Sequence, residues 1–154
     1  MANASLQTLV DRAAISDVLH TYATAVDRRD WALFRSLFTD QVFIDMRSFA
    51  PDRYGEIGVD QLLDLAKPLG NFSATQHISS NHTHRIDGDE ATCVSYMQAG
   101  HFLKRPDGDF HCFLYGYYTY SLVRTAAGWK ICKYAMNITA QEGDPRVFAW
   151  AGMQ

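Results

Sequence analysis

Six histidines give this chain most of its capacity to move protons. His77 closes the tripeptide Thr75-Gln76-His77 at the start of a β-like run. His101 follows Gly100 in the next such run. There, strand alternation would put Ala91, Cys93, Ser95, Met97, Ala99, His101 and Leu103 on one face. An imidazole in a lining of small and apolar side chains is pushed toward its neutral form and can act as a base. Asp27, in Val26-Asp27-Arg28-Arg29-Asp30-Trp31, admits two readings. It is either a turn carboxylate pairing with Arg28 or Arg29 in solvent, or the partner that orients a pocket histidine and raises its basicity.

Other chemistries are less well supplied. His82-x-His84 sets two imidazoles on one strand face, and Asp27 or Asp45 could add an oxygen. No third ligand has a recognisable spacing, so no metal is expected. In an unbulged strand that pair would face away from His77. There is no G-x-S-x-G elbow for a serine nucleophile, and no P-loop or GxGxxG for a nucleotide. Cys93, Cys112 and Cys132 form no CxxC and read as reduced thiols.

Lys+Arg number 14 against 17 Asp+Glu, and no block of basic residues stands out. Binding to nucleic acid or to an anionic membrane is therefore not expected. No apolar run approaches the ~18 residues of a membrane helix. Met1–Ser5 carries no basic region leading into an apolar core, so a cytoplasmic location is expected. At 154 residues, the whole chain reads as one domain.

The elements that must position these groups change in period near Asn71. Residues 5–38 read as helical. Ser5 is a cap, and Ile15, Val18, Leu19, Tyr22 and Val26 lie on one face. Asp30 caps a short second helix, Trp31 to Phe38. A strand is expected over 41–46, and a third helix over 60–66 that Pro68 and Gly70 end. Beyond Asn71, four β runs (73–86, 90–104, 110–124 and 129–138) are separated by short turns and imply an antiparallel meander. Helices first and strands after predict an α+β fold, with the helices on one face of a curved, mainly antiparallel sheet.

Residues 110–120 carry Phe110, Phe113, Tyr115, Tyr117, Tyr118 and Tyr120 on both parities. One face can meet the helices. The other is expected to meet a second subunit, in a homodimer or homotrimer. The apolar tail, with Val147, Phe148 and Trp150, would cap a pocket or dock on the body.

Four pieces of the sequence resemble the SnoaL-like branch of the nuclear transport factor 2-like (ketosteroid isomerase-like) superfamily, and within it the scytalone dehydratases. They are Val26-Asp27-Arg28-Arg29-Asp30-Trp31, Ile44-Asp45-Met46-Arg47-Ser48-Phe49, Thr75-Gln76-His77 and Gly128-Trp129-Lys130. The resemblance spans roughly residues 8–138. It implies a cone-shaped α+β barrel with an apolar pocket, working without metal or organic cofactor. It also implies that Asp27 and His77 pair, that His101 is the second pocket histidine, and that Phe49 lines the pocket.

Two positions depart from the dehydratases, which have tyrosines where this chain has Val26 and Met46. In that family these tyrosines hold a water on the substrate carbonyl and stabilise the enolate. Tyr22, Tyr96 and Tyr118 are the candidate replacements, with Met46 also at the substrate. The expected activity is a cofactor-independent lyase or isomerase on a hydroxylated aromatic or polycyclic small molecule. The alternative is a non-catalytic ligand-binding protein, or an assembly partner like a dioxygenase β-subunit.

Overall fold

A computed structural model describes residues 5–153; the first four residues, on which the expectation about a leader rests, lie outside them. Helix α1 (Leu6–Arg28) begins where the Ser5 hydroxyl accepts a hydrogen bond from the Thr8 amide at 3.1 Å. Its stripe buries Ile15, Leu19, Tyr22 and Val26, as the spacing predicts. The helix stops at Arg29, which adopts the left-handed conformation (φ 55°). Helix α2 (Trp31–Ser36) starts at Asp30, whose carboxylate accepts from the Leu33 amide at 3.0 Å. Phe38, expected in that helix, instead opens strand β1 (Phe38–Asp45).

A short strand not read from the sequence, β2 (Tyr54–Gly58), pairs antiparallel with β1. Helix α3 (Val59–Ala66) continues as a 3₁₀ turn over Lys67–Asn71, where the proline sits in the first positions that tolerate it. Then come the long strands β3 (Ala74–Asp87), β4 (Glu90–Arg105), β5 (Gly108–Thr125) and β6 (Gly128–Gly143), and the terminal helix α4 (Arg146–Trp150). No helix of the described residues is long and apolar enough to cross a membrane.

The sheet runs β2-β1-β6-β5-β4-β3. All neighbours are antiparallel except β1 and β6, which run parallel. The α+β architecture is as expected. Helix α1 lies against β3 and β6, and the sheet stays open, with β2 and β3 as its edges.

Bulges decide which side chains meet the helices. In β3, His77 stands opposite Ala99 and His84 opposite Cys93, with a register shift between Ser80 and Thr83. Asn81 lies in that shift at φ 53°. The extra residue reverses the alternation. His77, His82 and His84 therefore all lie on the helix-facing side, and His82 and His84 do not face away from His77. A second shift in β6 leaves Cys132 without an opposite number and turns Tyr134 inward. Gly116 in β5 sits at a third, where a Cβ would run into the carbonyl of Asn137.

Candidate active site

The end of α1 delivers Asp27 to the start of β3. Arg29 fixes the approach: its guanidinium donates to the Asp27 carbonyl at 2.6 Å and to the Phe72 carbonyl at 3.0 Å. Asp27 Oδ1 then meets His77 Nδ1 at 2.7 Å, across fifty residues of sequence. Asp27 Oδ2 accepts from the His77 amide at 2.8 Å, and Thr75 Oγ1 donates to Oδ1 at 3.0 Å. A carboxylate at a helix C-terminus is disfavoured by the helix dipole. Burial also pushes its pKa up, but the His77 side-chain and amide bonds, His77's charge and the Thr75 hydroxyl outweigh this and hold Asp27 below the usual range. The carboxylate therefore stays ionised. It accepts a hydrogen bond from Nδ1–H, which leaves the Nε2 lone pair free.

His77 is one wall of a cavity of about 60 Å³. His101 forms another, with its ring centroid 5.5 Å from that of His77 at nearly a right angle. His101 is 3% exposed, lies beneath Phe148 and Phe72, and its Nδ1 has no protein partner. Burial, helped by the charge of His77, pushes its pKa down to about 3. Three buried tyrosines line the same cavity. The Tyr22 and Tyr134 hydroxyls are 3.2 Å apart, and Tyr118 stacks on Tyr134 at 5.2 Å. Burial raises all three pKa values, so each is a neutral O–H.

Met46, Phe49, Tyr22 and Tyr118 also face this cavity. Tyr96 does not. It is 54% exposed on the outer face of β4, beside Tyr117, because it has the parity opposite to Met97 and His101. Phe148, from the apolar tail, lines the cavity too, and Tyr134 and Arg53 do so without having been foreseen. The bulge at Cys132 hid Tyr134, since simple alternation from Trp129 and Ile131 turns it outward.

The SnoaL-like domain model matches residues 7–135. The chain belongs to the SnoaL-like domain family. Its fold is that of the nuclear transport factor 2-like superfamily, as the four sequence pieces suggested. Protein Rv2910c of Mycobacterium tuberculosis H37Rv is 30% identical over 135 residues, covering 84% of this chain and 86% of its own. The terrestric acid biosynthesis cluster protein E of Penicillium crustosum is 28% identical, covering 91% and 90%. Among solved structures, Kfla4162 of Kribbella flavida superposes with a TM-score of 0.82 at 29% identity, over 87% of this chain and 94% of its own. A candidate scytalone dehydratase from Novosphingobium aromaticivorans gives 0.78 at 24%, over 88% and 89%. The type 2 hexachlorocyclohexane dehydrochlorinase LinA gives 0.76 at 21%, over 92% and 93%. The last two likenesses carry the fold alone.

Proposed function

We propose that this protein is a cofactor-independent lyase or isomerase acting on a small hydroxylated ring, with His77 as general base and Asp27 as its positioning partner. The observation that carries the reading is the 2.7 Å Asp27–His77 contact at the wall of an apolar cavity. Relatives of this fold include proteins named for dehydration and dehydrochlorination, both eliminations in which a proton and a leaving group depart. A base of this type contributes roughly 10²–10⁴-fold in rate.

In the proposed step, His77 Nε2 takes a proton from the carbon next to a carbonyl. The electrons that move onto the carbonyl oxygen are met by the hydroxyls of Tyr22, Tyr118 and Tyr134, which line the same cavity. The neutral state of His101 sets its role. It supplies an N–H or a lone pair to the leaving hydroxyl, but it holds no imidazolium proton near neutral pH. The proton that leaves with the hydroxyl returns from His77, so one imidazole acts first as base and then as acid. In isomerisation, the same proton returns to a different carbon.

The cavity also bounds the substrate. At about 60 Å³ it is smaller than the ~150 Å³ apolar cavity that admits benzene. A six-membered ring enters only if Phe148 or another wall side chain moves, and a polycyclic substrate demands more. Hydroxylated monocyclic ketones and phenols are therefore the first compounds to screen, by following water loss or double-bond migration. Turnover by the protein and none by His77→Gln supports the reading. Equal rates for the two would remove it.

A further inference from the structure

A second histidine cluster lies on the same strand, beyond the bulge, and lines no part of the catalytic cavity. We propose that His82, His84 and Cys93 form a zinc-binding site, each supplying one donor, with water completing the tetrahedron. The sequence offered His82-x-His84 without a third ligand at a recognisable spacing. The fold supplies it, because the register shift at Asn81 sets His84 directly opposite Cys93 on β4. One donor atom from each residue lies within 4.8 Å of the other two. Zinc bonds of ~2.0–2.3 Å put tetrahedral ligands roughly 3.3–3.8 Å apart, so closure by about 1 Å completes the site.

The surrounding hydrogen bonds already orient the rings. His84 Nε2 meets Ser16 Oγ at 2.9 Å, His82 Nδ1 meets the same oxygen at 2.9 Å, and His82 Nε2 meets Ser79 Oγ at 2.8 Å. Two proton arrangements, opposite in direction, satisfy the chain, and only one leaves no buried, unpartnered N–H on His84. In it, His84 Nε2–H donates to Ser16, Ser16 donates to His82 Nδ1, and His82 Nε2–H donates to Ser79. That arrangement leaves His84 Nδ1 as a bare lone pair, and it is this atom that is buried with no partner. A histidine that donates from one nitrogen and presents the other unprotonated is arranged as metal-ligating histidines are. Binding requires Ser16 to release one imidazole.

Burial also keeps both imidazoles neutral: His82 is pushed down to about 4, and His84 is lowered in the same direction. The Cys93 thiol is pushed up to about 11, again by burial, and so is protonated in the free protein. When the Zn–S bond forms, the S–H bond breaks and the proton passes to solvent, with no change of oxidation state. Through the imidazole that keeps its Ser16 contact, the ion would tie α1 to the β3 bulge. It would not enter the chemistry at His77.

Metal-free protein titrated with Co²⁺, and separately with Zn²⁺ by calorimetry, tests the site. The expected result is one ion per chain, a thiolate-to-cobalt charge-transfer band, and displacement of cobalt by zinc. Cys93→Ala should abolish the band, and His84→Gln should weaken zinc binding by roughly tenfold or more. His20→Ala, which removes only the ring stacked on His82 at 4.7 Å, should bind as the parent does. If Cys93→Ala does not fold, His82→Gln keeps the buried thiol and should still weaken zinc. No saturable binding, cobalt without the thiolate band, or variants that bind like the parent would overturn the site. None of these outcomes bears on the Asp27–His77 pair.

Discussion

Acid should destabilise this protein well before its carboxylates titrate, and His101 should be a main cause. Its folded-state pKa is about 3, against an ordinary value of 6.5. A histidine whose pKa is depressed by folding is protonated first in the unfolded chain. Its contribution is therefore fully present above pH 6.5 and drains away as pH falls toward 3. At about pH 4.5, two pKa units below 6.5, the loss is about 2.7 kcal/mol at 1.36 kcal/mol per unit. For a chain of this size that equals roughly 5–10 °C in Tm. His101→Leu removes the titration and leaves an apolar group beneath Phe148. Urea unfolding of parent and variant at about pH 7.5 and pH 4.5, followed by circular dichroism, isolates the effect. The parent should lose about 2.7 kcal/mol more than the variant between the two conditions. Equal losses would show that His101 is not held neutral by burial, and its assigned role as a neutral group would go with it.

Three further outcomes are expected. Below pH 4 the Asp11–Arg124 pair should matter. The Arg124 hydrogen bond holds Asp11 at about 2 against 3.8, so the pair's contribution is whole above 3.8 and gone below 2. Thermal melts of Asp11→Asn should accordingly be flatter than the parent's across that window. Phe148→Ala, or truncation at Gly143, should change ligand affinity several-fold, since Phe148 covers His101 at 4.8 Å and packs on Phe49 at 5.1 Å. Unchanged affinity would make α4 a docked tail rather than a lid. The outer sheet face, with Tyr96, Ile78 and half-buried Phe113, Tyr115 and Tyr117, should be covered by a second copy. Light scattering after size exclusion should give a dimer or trimer, and a monomer at micromolar concentration would refute it.

Residues whose position follows from local period were legible in the sequence. The α1 stripe, the inner face of β4 and the four hairpin-linked strands all depend on periods of 3.6 or 2 held over long runs. The Asp27–His77 pairing was reached through a family resemblance, since no local rule joins residues fifty positions apart. What failed did so at interruptions of the period. The bulge at Asn81 reversed the faces of His82 and His84. The one at Cys132 brought Tyr134 into the cavity. Strand β2 went unseen because it is short and two of its five residues are glycines, so its sequence carries no hydrophobic alternation. Phe38 was assigned to α2 because its apolar spacing fitted a helix, but the chain had already turned into β1. Tyr96 was weighed as an oxygen donor against its own parity, and parity decided.

The central claim is that Asp27 and His77 act as one unit. Once a substrate is found, the kinetics of Asp27→Asn, His77→Ala and the double variant test it directly. Asp27→Asn keeps the shape but removes the charge that stabilises the imidazolium, and His77→Ala removes the base. Each should lose at least ~10² in turnover, and the double variant should be hardly worse than the worse single one. Treatment with EDTA should leave turnover unchanged. Independent, additive losses, or activity abolished by the chelator, would contradict the account.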